Sequence, residues 1–309
     1  MTVQQLRYVI RTVEQGSITE AAKSLFISQP SLSNAVKDLE KELGFDLFRR
    51  NARGISLTTD GAEFLSYARQ VVEQMELLER HYEGKPPARQ QCVISTQHYA
   101  FSVNAFVELV RDSGADEYEF TLRETRTYDI IRDVSELRSE IGVLYLSDFN
   151  RSVIQKLLKE QRLEFHPLFE AEPHVFISAR HPLAGRPSVT LKDLENYPCL
   201  SFEQGEFNSF YFSEELFSTD YHKKSIHVSD RGTLFNLLIG LNGYTICTGV
   251  LSADLNGSDI VSVPLETESP QTLLIGWIVN SQAVLSQTAE KYIQYLKQHI
   301  TKHGFSPLS

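Results

Sequence analysis

The stretch FISQPSLSNAVKDLEKELG, Phe26 to Gly44, predicts a helix with one apolar face and one polar face. Ser28 suits the start of this helix, Pro30 its first turn and Gly44 its end. Leucine, alanine and valine recur at helical spacing on one side. The opposite face carries Gln29, Pro30, Ser33, Asn34, Lys37 and Lys41. Such side chains suit base edges in the major groove of DNA, and equally an ordinary solvated helix face.

The residues around this helix complete a small folding unit. Leu6, Val9, Ile10 and Val13 predict a first helix over residues 4–14, and Ser17-Ile18-Thr19-Glu20 matches a capping box that opens a second. A basic turn, RRNARG, follows the third helix and precedes a short apolar strand. We interpret this turn as a β-wing whose Arg49, Arg50 and Arg53 meet phosphates or enter the minor groove. A winged helix-turn-helix therefore accounts for residues 4–58.

Charge is distributed unevenly along the chain. The 309 residues carry a formal net charge of −10, which as a total disfavours contact with phosphate. Residues 1–60 are nearly neutral and slightly positive, so the remainder holds the acidity. Only charges within about 10 Å act strongly on a contact surface at 0.1 M salt. The acidic total therefore does not exclude DNA as a partner.

The first sixty residues resemble the N-terminal domain of LysR-type transcriptional regulators. The resemblance runs without a gap and is carried by Ala21-Ala22, Ser28-Gln29-Pro30, Leu32-Ser33, Leu39-Glu40, Leu43-Gly44, Leu47-Phe48 and Leu57-Thr58. The sequence departs from many members at Asn34, where they carry a basic residue, and at Thr59, where they carry proline. The resemblance implies a DNA-binding domain over residues 1–58, with double-stranded DNA as the partner.

Residues 59–87 predict a long linker helix followed by a hinge. Phe64, Ala68, Val71, Met75, Leu78 and Tyr82 form an apolar seam with the 4-3-4-3-4 spacing of a coiled coil. Packing on its own domain explains a short seam, whereas a partner chain better explains one this long. The resemblance implies the same pairing, in a homodimer or homotetramer. The segment GKPP, residues 84–87, ends the helix as a stiff hinge.

Strand and helix patterns alternate through the rest of the chain. Ten strand patterns, beginning at Cys92 and ending at Val279, predict an α/β fold with mainly parallel sheets. The segments EIGVLYLSD, LLIGLNGYTICTGVL and PLFEAEPHVFISARHPLAGRPSVTLKDLENYPCLSF resemble the effector-binding domain of the same family. That resemblance implies a two-lobed, periplasmic-binding-protein-like domain over residues 88–302. Lobe I would span about 88–167 and 265–302, and lobe II about 168–264.

Three loops at strand ends are expected to line the cleft between the lobes, because ligands bind there in such sheets. Their hydroxyl and amide groups suit an anionic or carboxylate-bearing effector. In resembling proteins the first loop supplies hydroxyl contacts, which implies this role for Ser95 and Thr96. His98 is as readily a structural histidine as a ligand. The neighbouring aromatics Phe207, Phe210, Tyr211 and Phe212 suit lobe packing or a lid better than a cofactor site. The candidate effector residues are Ser95, Thr96, Gln97, His98, Ser201, Phe202 and Thr248.

The leading hypothesis is an effector-responsive transcription factor that binds an interrupted inverted repeat in promoters and contacts RNA polymerase. The alternative is a small-molecule binding protein of the same two-lobed fold that does not act on DNA. Nothing in the sequence favours an enzyme, since GxSxG, Walker and GxGxxG motifs are missing. The isolated Cys92, Cys199 and Cys247 predict reduced thiols and no metal site or cofactor. With no secretory signal and no membrane-length apolar run, we expect a cytoplasmic protein.

Overall fold

A computed structural model describes residues 1–51, 54–83, 90–114, 117–205, 209–251 and 257–308, with the backbone alone at 50, 51, 54 and 80–83. The chain divides into two compact units, Met1–Ala88 and Arg89–Ser309. Within the described ranges, no helix is both long enough and apolar enough to cross a membrane.

The first unit consists of three short helices, a hairpin and a long helix. In chain order these are α1 (Val3–Gln15), α2 (Ile18–Ser24), α3 (Gln29–Leu43), β1 (Phe48–Asn51), β2 (Gly54–Leu57) and α4 (Thr59–Glu83). The two strands pair antiparallel with Phe48 opposite Leu57. This is the predicted winged helix-turn-helix followed by a linker helix.

The ends of the short helices follow local capping rules, with one exception to our prediction. The Ser28 hydroxyl accepts from the Ser31 N–H at 3.2 Å, and Gly44 ends α3 at φ 80°. The Ser17 hydroxyl accepts from the Glu20 N–H as expected. The predicted return bond from Glu20 is wrong, because its carboxylate accepts from Lys23 Nζ at 2.8 Å instead. An exposed carboxylate gains more from a neighbouring cation than from a neutral amide.

The core of the first unit forms where the inner faces of α1, α2 and α3 meet. Val9, Ala21, Leu32 and Leu39 are fully buried there. Alanine at position 21 leaves room for α2 to approach its neighbours closely. Because the apolar spacing of these helices leaves their other faces to solvent, α3 keeps one side free for a partner.

Helix α4 packs partly on its own unit, which corrects the prediction that its whole seam faces a partner chain. Leu6 of α1 packs with Ala68 and Val72, both buried. Arg7 also donates to both carboxylate oxygens of Glu79, at 2.8 and 3.0 Å. The exposed apolar side chains of the same helix are Tyr67, Val71, Leu77 and Leu78. The seam therefore divides into a buried stripe against α1 and an exposed one.

The second unit alternates strands and helices, as its sequence predicts. In chain order it contains β3 (Gln90–Thr96), α5 (Ala100–Asp112), β4 (Tyr118–Glu124), α6 (Thr127–Ser135), β5 (Ile141–Leu146), α7 (Arg151–Glu160), β6 (Leu163–Ala171), β7 (His174–Ser178), β8 (Val189–Thr190), α8 (Leu191–Leu194), β9 (Cys199–Phe202), β10 (Ser225–Val228), α9 (Arg231–Leu241), β11 (Tyr244–Cys247), β12 (Ile260–Glu266), β13 (Leu273–Asn280) and α10 (Gln287–Lys302).

Two sheets define two lobes of this unit. The sheet of lobe I has the order β4-β3-β5-β13-β6, and the sheet of lobe II has the order β10-β9-β11-β7-β12-β8. Both sheets are mixed, which corrects the expectation of mainly parallel ones. Strand β13 runs antiparallel to β5 and β6, and β7 runs antiparallel to β11 and β12. The chain passes between the lobes twice, from β6 to β7 and from β12 to β13, so β7 and β13 are the strands that follow these passages.

Candidate functional site

The outer face of α3 presents most of the predicted DNA-reading side chains. Gln29, Pro30, Asn34 and Lys37 are exposed, so their polar groups are accessible to a partner. Ser33 is buried, with 8% of its surface exposed, which corrects its placement on the exposed face; its role in reading bases stays a prediction. Its position three residues before Val36 puts it on the flank of the buried stripe, where a small side chain allows close packing.

The wing holds the predicted phosphate contacts. Arg49 is exposed on β1. The structure describes only the backbone of Arg50, which pairs with Ile55 across the hairpin, and Arg53 lies outside the described residues. A further exposed group, Phe26, lies just before α3 with φ 54° and 96% of its surface exposed.

The three predicted loops converge in the second unit. The imidazole of His98 stacks on the ring of Phe202, with 3.9 Å between centroids and 7° between planes. Thr248 lines the same cavity as these two side chains. The cavity volume is about 40 Å³, room for a few water molecules. At this point of the cleft, side chains of the protein thus leave little free volume.

The first part of the first loop is engaged inside lobe I. The Ser95 hydroxyl lies 3.1 Å from Asp133 Oδ2 and 2.8 Å from Ser139 Oγ. The Thr96 hydroxyl donates to the carbonyl of Gln97 at 2.9 Å. Ser95, Thr96 and Gln97 are fully buried, and none of them lines the cavity described above. The hydroxyl groups of Ser95 and Thr96 support the loop, and contact with an effector stays a prediction.

Gln97 connects several elements of lobe I. Its amide Nε2 donates to Thr127 Oγ1 at 2.6 Å, and its Oε1 accepts from the Tyr145 N–H at 3.0 Å and the Tyr99 hydroxyl at 2.8 Å. These bonds hold the end of β3 against α6 and β5. Gln97 therefore positions the loop that carries His98.

Ser201 faces a second, larger cavity in lobe II. Its hydroxyl lies 2.9 Å from His227 Nδ1, and both residues line a volume of about 450 Å³ together with Phe202. Thr248 is 2% exposed, and its hydroxyl accepts from the Val250 N–H at 3.4 Å. The second and third loops thus differ in how much of their polar surface remains accessible.

Glu214 is the cleft residue that sequence reasoning missed. Its carboxylate accepts from the backbone N–H of His98 at 3.0 Å and lies 3.0 Å from His98 Nδ1. Both side chains are 4% exposed. Burial lowers the pKa of His98, but the charge and hydrogen bond of Glu214 outweigh it, so the pKa is raised overall. A buried contact, which is an ion pair when His98 is protonated, thus crosses from lobe II to lobe I.

Two further carboxyl groups lie at the same cleft. Arg231, at the start of α9, places its Nε 3.0 Å from Glu124, whose pKa burial raises despite this cation. Burial, reinforced by the charge of Glu214, raises the pKa of Glu215 well above its ordinary value. One Glu215 oxygen accepts from the Phe202 N–H at 2.9 Å, and the other is buried without a hydrogen-bond partner among the described residues.

The aromatic run of residues 210–212 packs between the lobes. Tyr211 stacks on Phe149 with 4.9 Å between ring centroids, and Phe212 meets Tyr128 edge-on at 5.6 Å. Both partners belong to lobe I. Lobe packing therefore matches the structure as an interpretation of this run, and Glu214 follows the run after Ser213.

The cysteines show no arrangement for redox or metal chemistry. All three are free thiols. Burial raises the pKa of Cys92 and of Cys199 to about 12, and raises that of Cys247 as well. Such thiols hold little thiolate, the reactive form, near pH 7. Within the described part of the chain, no three histidine, cysteine or carboxylate side chains gather as metal ligands.

Two family descriptions match the chain over most of its length. "Bacterial regulatory helix-turn-helix protein, lysR family" matches residues 3–62, and "LysR substrate binding domain" matches residues 114–301. The HTH-type transcriptional regulator YybE of Bacillus subtilis is 27% identical over 322 aligned positions, covering 98% of this chain and 100% of that protein. YnfL of Escherichia coli is 26% identical over 255 residues, covering 81% and 82%.

Solved structures share the fold. An OxyR mutant from Corynebacterium glutamicum superimposes with a TM-score of 0.51 at 18% identity, covering 97% of this chain and 93% of that one. A full-length BenM mutant gives 0.50 at 21% identity, covering 100% and 99%. The chain belongs to the LysR family and is a transcriptional regulator with a DNA-binding helix-turn-helix domain and a C-terminal effector-binding domain.

Proposed function

We propose that dimers of this regulator, formed through α4, bind an interrupted inverted repeat with two copies of α3. Four subunits assemble in the cytoplasm on promoter DNA, where RNA polymerase is the further partner. A small effector in the cleft between the lobes alters the placement of the DNA-reading heads. The protein needs no cofactor and performs no catalysis, in keeping with relatives that are named as regulators.

One observation carries the DNA-reading role of α3. Gln29 and Asn34 are exposed at the amino-terminal end of a helix whose other face is buried in the core. A helix that enters the major groove reads bases with side chains of its first turns, and glutamine and asparagine bind adenine edges. Lys37 and Arg49, also exposed, supply contacts to phosphates. In this scheme Ser33 acts through packing.

A gel-shift series on matched DNA sites tests this assignment. Gln29→Ala is expected to cost about 1–3 kcal/mol on the preferred site and little on other sequences, because base contacts carry specificity. Lys37→Ala is the matched control on the same face, and it should weaken binding to all sequences alike. A uniform loss for Gln29→Ala would reject its base-reading role.

The effector we propose is a small anion that bears a carboxylate group. His98 supports this class, since its N–H and imidazole already bind a carboxylate, that of Glu214. The carboxyl ends of β3, β9 and β11 supply the surrounding groups, including Phe202 and Thr248. An effector can shift the regulator only by binding one arrangement of the lobes better than the other.

A thermal-shift screen of organic acids, amino acids and inorganic anions tests the effector class. A ligand that binds only the folded protein stabilises it by about 2.7 kcal/mol at one hundred times its Kd. Carboxylates are expected among the stabilising compounds, and the stabilising compounds should alter the DNA footprint. Stabilisation by amines alone would contradict the proposed class.

A further inference from the structure

His98 forms a preformed receptor for a carboxylate. Its backbone N–H and its ring Nδ1 point to the same acceptor, each at 3.0 Å. The stack on Phe202 fixes the plane of the imidazole, and the preceding residue, Gln97, is held in place by the Tyr145 N–H. A backbone donor and an imidazole that converge in a buried site bind an anion far better than either would in water.

The occupant of this receptor is part of the same chain. Glu214 fills it with a side chain that is 4% exposed, and Gln204 Nε2 lies 3.4 Å from the same carboxylate. The remaining cavity at this point, about 40 Å³, has no room for a second carboxylate on the same donors. Two carboxylates that share one site repel each other as well.

We propose that Glu214 is an internal ligand of the cleft and that a carboxylate effector binds by displacing it from His98. The inference rests on the proposed function, because it takes this cleft as the effector site. The effector carboxylate accepts the two bonds from His98 that Glu214 accepts in the structure. Its apparent affinity is therefore lower than its intrinsic affinity, since only molecules with Glu214 withdrawn accept it.

Displacement changes the connection between the lobes. Glu214 belongs to the segment between β9 and β10 of lobe II, whereas His98 belongs to lobe I. The same segment makes other contacts across the cleft: Arg126 pairs with Glu203, the Thr127 N–H donates to Gln204 Oε1 at 3.2 Å, and the Thr127 hydroxyl donates to the Phe212 carbonyl at 2.8 Å. An effector bound to His98 accepts the hydrogen bonds of this lobe I residue, but it does not connect His98 to lobe II as Glu214 does. Binding thus favours an arrangement in which this segment is released.

Acetate is the probe that tests the displacement in the full-length protein. Glu214→Ala removes the internal carboxylate and leaves a cavity of its size against His98. We expect 100 mM sodium acetate, compared with sodium chloride at equal ionic strength, to raise the unfolding temperature of this variant saturably. Wild type should bind acetate at least tenfold more weakly. Equal responses of the variant and wild type would overturn the inference.

Glu203→Ala is the matched control, because it also removes a lobe II carboxylate that pairs with a lobe I cation. Arg126, its partner, is 37% exposed and screened by water, so freeing it should give no saturable acetate response. A response of this control equal to that of Glu214→Ala would mean that any freed cation suffices, and would overturn the inference.

Removing one partner of a buried polar contact is destabilising, so Glu214→Ala is also refolded with either salt. Greater recovery in acetate than in chloride supports the inference, and equal recovery overturns it. DNA footprints of the same samples test the proposed function separately. Acetate binding without any change of footprint would uphold the internal ligand and defeat effector control through this cleft.

Discussion

The carboxyl group of Glu215 lies among atoms that oppose its ionisation. Its pKa is raised by burial and by the neighbouring charge of Glu214, so the folded protein retains a proton that the unfolded chain releases. Stability is therefore complete below the ordinary pKa of a glutamate and falls as pH rises toward the raised value. The neutral form still accepts from the Phe202 N–H.

Glu215→Gln should remove this loss, because an amide keeps the shape and the acceptor but cannot ionise. We expect the variant to equal wild type near pH 4 and to exceed it by a growing margin as pH rises to 8. Urea unfolding at several pH values measures the difference. Glu160→Gln, at an exposed position of α7, is the control and should show the pH dependence of wild type. A Glu215→Gln stability curve parallel to that of wild type would contradict the argument.

Single residues also show where sequence reasoning reaches its limit. The exposure of Gln29 and Asn34 follows from helical spacing, which a sequence displays directly. Ser33 was misplaced because its polarity suggested solvent, whereas its position beside Val36 decided its burial. Glu214 was missed because its partner His98 lies 116 positions away, a separation that no local pattern encodes. The one local signal was a pair of glutamates that follows an aromatic run after one serine.

Among the elements, α4 carries a stripe of apolar surface that its own unit does not cover. Val71 is 48% exposed and Leu78 is 51% exposed, and both lie on one flank of the buried stripe that contains Ala68. Their spacing of seven residues is that of a coiled-coil seam. Such a stripe is best covered by the same stripe of a second subunit.

Val71→Glu combined with Leu78→Glu should therefore convert the oligomer to smaller species, because buried unpaired carboxylates oppose association. Analytical ultracentrifugation at micromolar concentration measures the change. Arg69→Glu, an exposed position on the opposite side of α4, should leave the mass unchanged. An unaltered mass for the double variant would exclude this stripe from the interface.

The bounds of elements were easier to predict than their pairing. Helix α4 begins at Thr59 and ends at Glu83, as predicted, because proline and glycine follow its last turn. The sequence also predicts strands at Ile141–Leu146, His174–Ser178, Cys199–Phe202 and Ser225–Val228, and β5, β7, β9 and β10 have these bounds. The direction of β7 and β13 depends on where the chain passes between lobes, so the mixed sheets were not predicted.

For the whole molecule, the net charge of −10 coexists with DNA binding because the acidity lies outside residues 1–60. Each phosphate contact releases counterions, so affinity falls with salt by a slope of about 0.9 per contact. Arg49→Ala is expected to weaken binding to all sequences and to reduce the slope by about one per subunit. Filter binding between 50 and 200 mM salt measures both.

Lys302→Ala in α10 is the control for removal of an exposed cation from the other unit. It should leave the slope unchanged, because Lys302 lies outside the DNA-binding unit and makes no proposed phosphate contact. Equal slopes for Arg49→Ala and wild type would remove Arg49 from the phosphate-binding surface.

The pairing of β7 with β12 and of β6 with β13 makes one lobe an insertion within the other. Pro264 lies opposite His174, so lobe II begins and ends at neighbouring points. Ala171 lies opposite Leu273, so lobe I has its own two ends side by side where lobe II enters. A short linker can therefore join the two ends of each lobe. The two lobes can then be encoded as separate chains, and each can be recombined with other domains.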